Sequence, residues 1–102
     1  MKSAVKGHYR RKAEIIKAMA HPTRLFLVEE LARGERCVCD LTAMVGDDIS
    51  TISKHLAVLR QAGIVSANKR GAQVFYALRV PCVVNFFACV ESVMKNHARG
   101  RQ

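Results

Sequence analysis

The residues best suited to chemistry in this chain are four cysteines, two of which are separated by a single valine. Cys37 and Cys39 enclose Val38, whereas Cys82 and Cys89 lie further along the chain. Two disulfides would suit an exported protein, but the scattered charges of residues 1–12 are unlike a signal peptide. We therefore expect a cytoplasmic protein whose cysteines are free thiols, metal ligands or small core residues. Thiolates favour soft ions over hard cations.

A second group of residues has the side-chain types needed to contact DNA. Short hydroxyl and basic side chains at the start of a helix can hydrogen-bond to base edges, and nearby cations can bind phosphates. The alternative is a solvated helix face followed by a surface hairpin. The residues predicted to contact DNA are Ser50, Thr51, Ser53, Lys54, His55, Arg60, Lys69, Arg70 and Gln73.

The apolar pattern predicts that these residues lie on a mainly α chain with a small β-hairpin. Pro22 is placed to open a helix at its first position, and glycines are placed to end helices. Two β-rich runs flank the turn-prone segment NKRGA, which predicts a hairpin. The predicted segments are helices over 8–20, 22–33, 38–45, 49–62 and 81–98, a short strand or helix start over 35–39, and strands over 64–67 and 73–78.

The last predicted helix is apolar on nearly every side, from Pro81 to Met94. A helix that is apolar all round is normally buried, and a chain of 102 residues has little else to cover it. A second subunit is the expected cover. We therefore predict one domain over residues 1–102 that dimerises through residues 8–20 and 81–98.

The charge balance is consistent with a nucleic-acid partner. Lys and Arg number 17 against 8 Asp and Glu, which gives a formal net charge of +9. Such an excess attracts polyanions. No segment reads as a basic amphipathic helix with bulky apolar anchors, so we expect no membrane partner. No nucleophile, base and acid form a recognisable set and no phosphate loop is present, so we expect neither an enzyme nor an organic cofactor.

Three motifs in the same order resemble the ArsR/SmtB family of metal-responsive repressors. They are HPTR from residue 21, SKHLAVLRQAGIV from residue 53 and RGAQVFYAL from residue 70, within a resemblance that runs from about residue 13 to residue 80. The resemblance implies a winged helix-turn-helix homodimer paired through its first and last helices. It implies that the fourth helix reads the major groove. Asp48 and Ile49 stand where family members often have Ser-Gln, which leaves the first base contact open.

The segment CVCDL at residues 37–41 resembles the third-helix metal motif of the arsenic and cadmium/lead branches of that family. It implies an inducer of As(III) or Sb(III), with Cd(II) or Pb(II) as the alternative. The metal ligands we predict are Cys37, Cys39 and Cys82, with Cys89 as the substitute for Cys82. The last helix lacks the paired Asp/His ligands of the zinc, nickel and cobalt branches.

Helix geometry suggests how the thiol pair could act. Positions two apart in a helix point about 200° from each other, so holding both sulfurs on one ion would distort the start of the third helix. Cys82 and Cys89 lie ~10.5 Å apart along a helix axis and cannot share one small site. Two alternatives stay open on the same fold. One is a cysteine-based redox or persulfide sensor, and the other is a constitutive DNA-binding module with inert cysteines.

Overall fold

The computed structural model describes residues 1–98 and Gly100, and this part of the chain forms five helices and a three-stranded antiparallel sheet. Residues 99, 101 and 102 of the predicted domain lie outside the described part of the chain. The elements are α1 (Ser3–Met19), α2 (Pro22–Leu31), β1 (Arg36–Cys37), α3 (Val38–Val45), α4 (Ile49–Gln61), β2 (Val65–Arg70), β3 (Gln73–Leu78) and α5 (Val83–Ala98).

Local signals set the ends of the central helices as predicted. Pro22 occupies the first position of α2, where its missing N–H costs nothing. Gly46 follows α3 with φ 81°, a left-handed conformation that glycine adopts without strain. Asp48 then caps α4. Consequently α3 and α4 are joined by only three residues, which is the connection of a helix-turn-helix.

Two predicted boundaries were wrong by more than two residues. Helix α1 begins at Ser3 rather than at residue 8, because the charged early residues are also good helix formers. Strand β2 runs on to Arg70, so the hairpin turn contains only Gly71 and Ala72. The short segment before α3, predicted as a strand or a helix start, is strand β1, which pairs with β3 and makes the sheet order β1-β3-β2.

A single core holds the helix-turn-helix against the rest of the chain. The middle strand of the sheet, β3, contributes Tyr76 to this core, and α5 contributes Phe87. Burial of each large aliphatic side chain contributes roughly 1.5–3 kcal/mol. The fully buried side chains of α2, α3, α4, the start of β2 and the residue before it are Leu27, Val28, Leu41, Ile52, Leu56, Leu59, Ile64 and Val65.

Helix α5 is not buried within one chain. Phe87 is its one buried residue, whereas Phe86, Val90, Val93 and Met94 are exposed. None of the helices in the described part of the chain combines the length and apolar character needed to cross a bilayer.

Candidate nucleic-acid interface and thiol site

The start of α4 is fixed by a carboxylate. Asp48 Oδ1 accepts the backbone N–H of Thr51 at 2.8 Å and the hydroxyl of Ser50 at 2.8 Å. These bonds, the Thr51 N–H foremost, hold the pKa of Asp48 below its ordinary value of 3.8. The Ser50 hydroxyl is therefore already used inside the protein, while its other lone pairs stay exposed.

The outer face of α4 presents the polar side chains that the sequence indicated. Ser53, Lys54 and Arg60 are exposed, and Thr51 is half-buried. The opposite face, with Ile52, Leu56 and Leu59, is buried in the core. We call α4 the reading helix, after the base-reading role that the sequence predicts for it.

The predicted DNA contact at His55 is placed differently from its neighbours. Its ring is half-buried and lies beside α2, where Arg24 Nη1 is 3.2 Å from His55 Nδ1. The ring of His21 lies 4.5 Å away, measured between centroids. One ring nitrogen of His55 is thus engaged within the protein. The Arg24 contact was missed from the sequence, because Arg24 and His55 are 31 positions apart.

The tip of the β2–β3 hairpin, which we call the wing, carries the other predicted contacts. Lys69, Arg70 and Gln73 are exposed there, and Arg70 pairs with Gln73 at the last rung of the ladder. The Arg70 guanidinium binds the Glu35 carboxylate and lies 4.7 Å from the ring centroid of Phe75. Glu35 is a residue that sequence reasoning missed, because the pair is 35 positions apart.

Cys37 lies at the junction of sheet and helix. It ends β1, opposite Phe75 of β3, and it is also the N-cap of α3, where its Sγ accepts the N–H of Asp40 at 3.4 Å. Its side chain is buried, whereas Cys39 in the first turn of α3 is exposed. Cys37 therefore lies just outside the helix, so the predicted 200° separation does not describe the pair. The two thiols differ instead in burial and in capping, because only Cys37 is buried and caps α3.

The predicted third ligand is not close to this pair in one chain. Cys82 lies just before α5, in a groove with Ile15, Ile16 and Gly63. In the described residues no group of three or more His, Cys, Asp and Glu side chains is arranged to hold a metal ion. All four thiols are free, and Cys89 is exposed on α5. Cys37 and Cys39 thus lie at the start of α3, whereas Cys82 lies in the groove beside α1.

The helix-turn-helix, the adjoining wing and the cations on both define a winged helix-turn-helix DNA-binding protein. The family model of the bacterial regulatory proteins of the arsR family matches residues 21–67. The HTH-type transcriptional regulator Rv0081 of Mycobacterium tuberculosis is 36% identical over 87 residues, which are 84% of this chain and 76% of that protein. The chain belongs to the ArsR family of transcriptional regulators.

Other similar proteins extend this result. The transcriptional repressor SmtB homolog of Synechocystis is 40% identical over 75 residues, which are 74% of this chain and 57% of that protein. The homodimeric winged helix-turn-helix domain of Mb0332 from Mycobacterium bovis has a TM-score of 0.79 at 27% identity, covering 100% of this chain and 94% of that one. A possible transcriptional regulator for arsenical resistance has a TM-score of 0.66 at 35% identity, covering 78% and 83%.

Proposed function

We propose that this regulator is a homodimeric repressor whose hold on operator DNA is released when Cys37 and Cys39 bind a soft metal or metalloid, with As(III) or Sb(III) favoured. The observation that carries the proposal is the position of Cys37. Its sulfur caps the helix that supports the reading helix, and its backbone pairs with the strand of the wing. A change at this one residue reaches both DNA-contacting elements.

The DNA contacts follow from exposure and residue type. The short side chains Thr51 and Ser53 approach base edges, while Arg60 and Lys69 bind phosphates. Because the partner is operator DNA, the protein acts in the cytoplasm. The full contact set of the proposal is Ser50, Thr51, Ser53, Lys54, His55, Arg60, Lys69, Arg70 and Gln73.

A second copy of the chain covers the exposed apolar side chains of α1 and α5, which we call the dimer face. A continuous apolar surface of this kind marks an interaction site. The related Mb0332 domain is a homodimer, and two reading helices would then meet two half-sites on the same DNA. The residues of the dimer face are Val5, Tyr9, Ile15, Ile16, Val84, Phe86, Val90, Val93 and Met94.

The chemistry of the thiol pair fits a soft ligand. Cys37 is the N-cap of α3, Cys39 lies in the first turn of that helix and is open to solvent, and sulfur ligands are the ones that soft ions favour. We propose that Cys37, which is only 5% exposed, leaves its cap so that its sulfur binds the same ion as the sulfur of the exposed Cys39. Losing an N-cap costs about 1 kcal/mol. That rearrangement loosens the first turn of α3 and the β1–β3 pairing.

A third sulfur completes the site. We assign it to Cys82, with Cys89 as the alternative, although Cys82 borders the dimer face in the single chain. An As(III) site of three thiolates then needs movement of Cys82 or a contribution across the dimer. The related regulator for arsenical resistance supports arsenic as the ion. Cd(II) and Pb(II) are the next candidates because they also favour thiolates.

The proposal is tested by titrating reduced protein bound to a fluorescent duplex that the protein itself has selected from a random library. Additions of As(III), Cd(II), Zn(II) and peroxide are compared by fluorescence anisotropy. We expect release by As(III) with a thiolate absorbance and no disulfide. Release by peroxide alone, with a disulfide in the mass spectrum, would instead identify a redox sensor. Release by none of them would identify a constitutive DNA-binding module.

A further inference from the structure

A cluster of His21, Arg24 and His55 links α2 to the reading helix. His21 is the N-cap of α2, and its Nδ1 accepts the backbone N–H of Thr23 at 3.1 Å. His55 lies on α4 with its ring 4.5 Å from that of His21, between centroids. Arg24 Nη1 is 3.2 Å from His55 Nδ1. Arg24 Nε is buried without a hydrogen-bond partner among the described residues, so the bond to His55 is what orients the guanidinium.

The Arg24 contact requires an acceptor on His55. A guanidinium can only donate, so Nδ1 of His55 accepts in this bond and carries no proton. A second proton on this Nδ1 would remove the acceptor. It would also place a new positive charge beside Arg24.

The charged and titratable groups around His55 oppose its protonation on balance. Burial is the largest cause that holds the pKa of His55 below its ordinary value of 6.5, followed by His21 and Arg24 of the α2 side. Asp47, in the loop between α3 and α4, is the one group that acts in the opposite direction. The neutral ring is therefore the form that the folded cluster favours.

We propose that Arg24 and His55 are a positioning pair for the reading helix, and that protonation of this cluster makes the protein lose operator affinity as the solution becomes acidic. The proposal rests on α4 being the reading helix and does not involve the cysteines. Protonation of His55 breaks the α2–α4 bond and sets its new positive charge against Arg24 at the helix that must enter the major groove. The displaced element is the one that carries Ser53 and Arg60.

The sign of the effect separates this proposal from simple electrostatics. A histidine whose pKa is depressed on folding contributes stability that is present above 6.5 and is lost as the pH falls through its folded value. Because operator binding needs the neutral ring, affinity should fall as the pH drops through the folded-state pKa of His55, which lies below 6.5. Added positive charge on a basic protein would by itself strengthen DNA binding. Simple electrostatics therefore predicts tighter DNA binding on acidification, which is the opposite of our expectation.

The test measures affinity for the selected duplex from about pH 8 to about pH 5.5, at constant ionic strength and without metal ions. We expect affinity to fall on the acid side with a slope approaching about tenfold per pH unit for one linked proton. The variant His55→Asn keeps an acceptor near the position of Nδ1 but cannot titrate, so its acid loss should disappear. His8→Asn, which removes an exposed histidine outside the cluster, should keep the wild-type profile.

Arg24→Met is the second variant, because it removes the bond and leaves His55 in place. We expect weaker operator binding at about pH 8 and a flattened pH profile, with helix content followed by circular dichroism. Wild-type affinity that rises on acidification would overturn the proposal, as would a His55→Asn protein that keeps the acid loss. If As(III) failed to release DNA at about pH 8, the proposed sensing by the cysteines would be wrong, but the pH dependence of operator affinity would be unaffected.

Discussion

Arg70 at the tip of the wing and Glu35 before β1 form a two-point ion pair, with Nη1 to Oε1 and Nη2 to Oε2 both at 2.8 Å. The guanidinium also lies over Phe75, which is the β3 partner of Cys37. Glu35 and Cys37 are two positions apart on one short segment. The segment that contains the buried thiol of Cys37 therefore also holds the Arg70 side chain of the wing through Glu35.

This pair neutralises a cation that the proposed DNA complex needs for a phosphate. Replacing the carboxylate in Glu35→Gln should free Arg70, so we expect tighter DNA binding and a steeper dependence of affinity on salt. One additional phosphate contact changes the slope of log K against log salt by about 0.9. Anisotropy titrations at several salt concentrations measure it.

Glu14→Gln is the matched control for this prediction. It makes the same change of charge on α1, at an exposed residue away from the wing. Its salt dependence should stay at the wild-type value. If Glu35→Gln bound DNA more weakly than wild type, Glu35 would instead be orienting Arg70 towards the phosphate.

Variants of two exposed residues, Ser53 and Lys69, distinguish base contacts from phosphate contacts. Ser53→Ala on the reading helix should lower affinity for the selected duplex by ~1–3 kcal/mol, with little effect on a scrambled duplex. Lys69→Ala in the wing should weaken both duplexes alike and flatten the salt dependence. The comparison uses both duplexes at two salt concentrations. Loss of sequence preference in Lys69→Ala, with Ser53→Ala unchanged, would assign base reading to the wing.

Two neighbouring phenylalanines of α5 allow loss of the dimer to be distinguished from disruption of the core. Phe86 is 49% exposed, whereas Phe87 is 5% exposed and belongs to the core of one chain. Phe86→Glu should therefore give a folded monomer that fails to bind a duplex with two half-sites. Phe87→Glu should reduce the free energy of unfolding as well. Sedimentation velocity and thermal melting provide the two measurements.

Met44→Glu serves as the control for the dimer prediction. Met44 is an exposed apolar residue of α3, away from α1 and α5. This variant should sediment as a dimer like the wild type. A Phe86→Glu protein that also sedimented as a dimer would place the interface on another surface.

The third sulfur of the thiol site is assigned by two single variants. Cys82→Ser should weaken release of DNA by As(III) if that residue completes the site, while Cys89→Ser should leave release intact. The arsenite dose that gives half-release is compared with that of wild type. The reverse result would identify Cys89 as the third ligand.

Short-range signals were enough to predict the central part of the fold. Pro22, Gly46 and Asp48 act through their own backbone conformation or a cap within three residues, so the helix-turn-helix could be read from the sequence. The exposed polar face of α4 followed from the same periodicity. The β1–β3 pairing depends on tertiary packing, and a two-residue strand has no period to detect.

The contacts that modify the site could not be predicted in the same way. His55 and Arg70 were predicted as DNA contacts, but their partners within the protein, Arg24 and Glu35, lie 31 and 35 positions away in sequence. Nothing in residue type or spacing indicates which of many charged side chains will pair at such a distance. The environment of Cys37 was hidden for the same reason, since its burial depends on how the sheet and α3 meet.

The central claim is that the Cys37–Cys39 pair controls DNA binding, and its most direct test is the affinity for the selected duplex with and without As(III). Wild-type protein should lose affinity by about 5- to 150-fold, the range that 1–3 kcal/mol of coupling gives. Cys37→Ser and Cys39→Ser should each bind DNA like wild type without the ion and keep that affinity with it. Full release of both variants by As(III) would contradict the account.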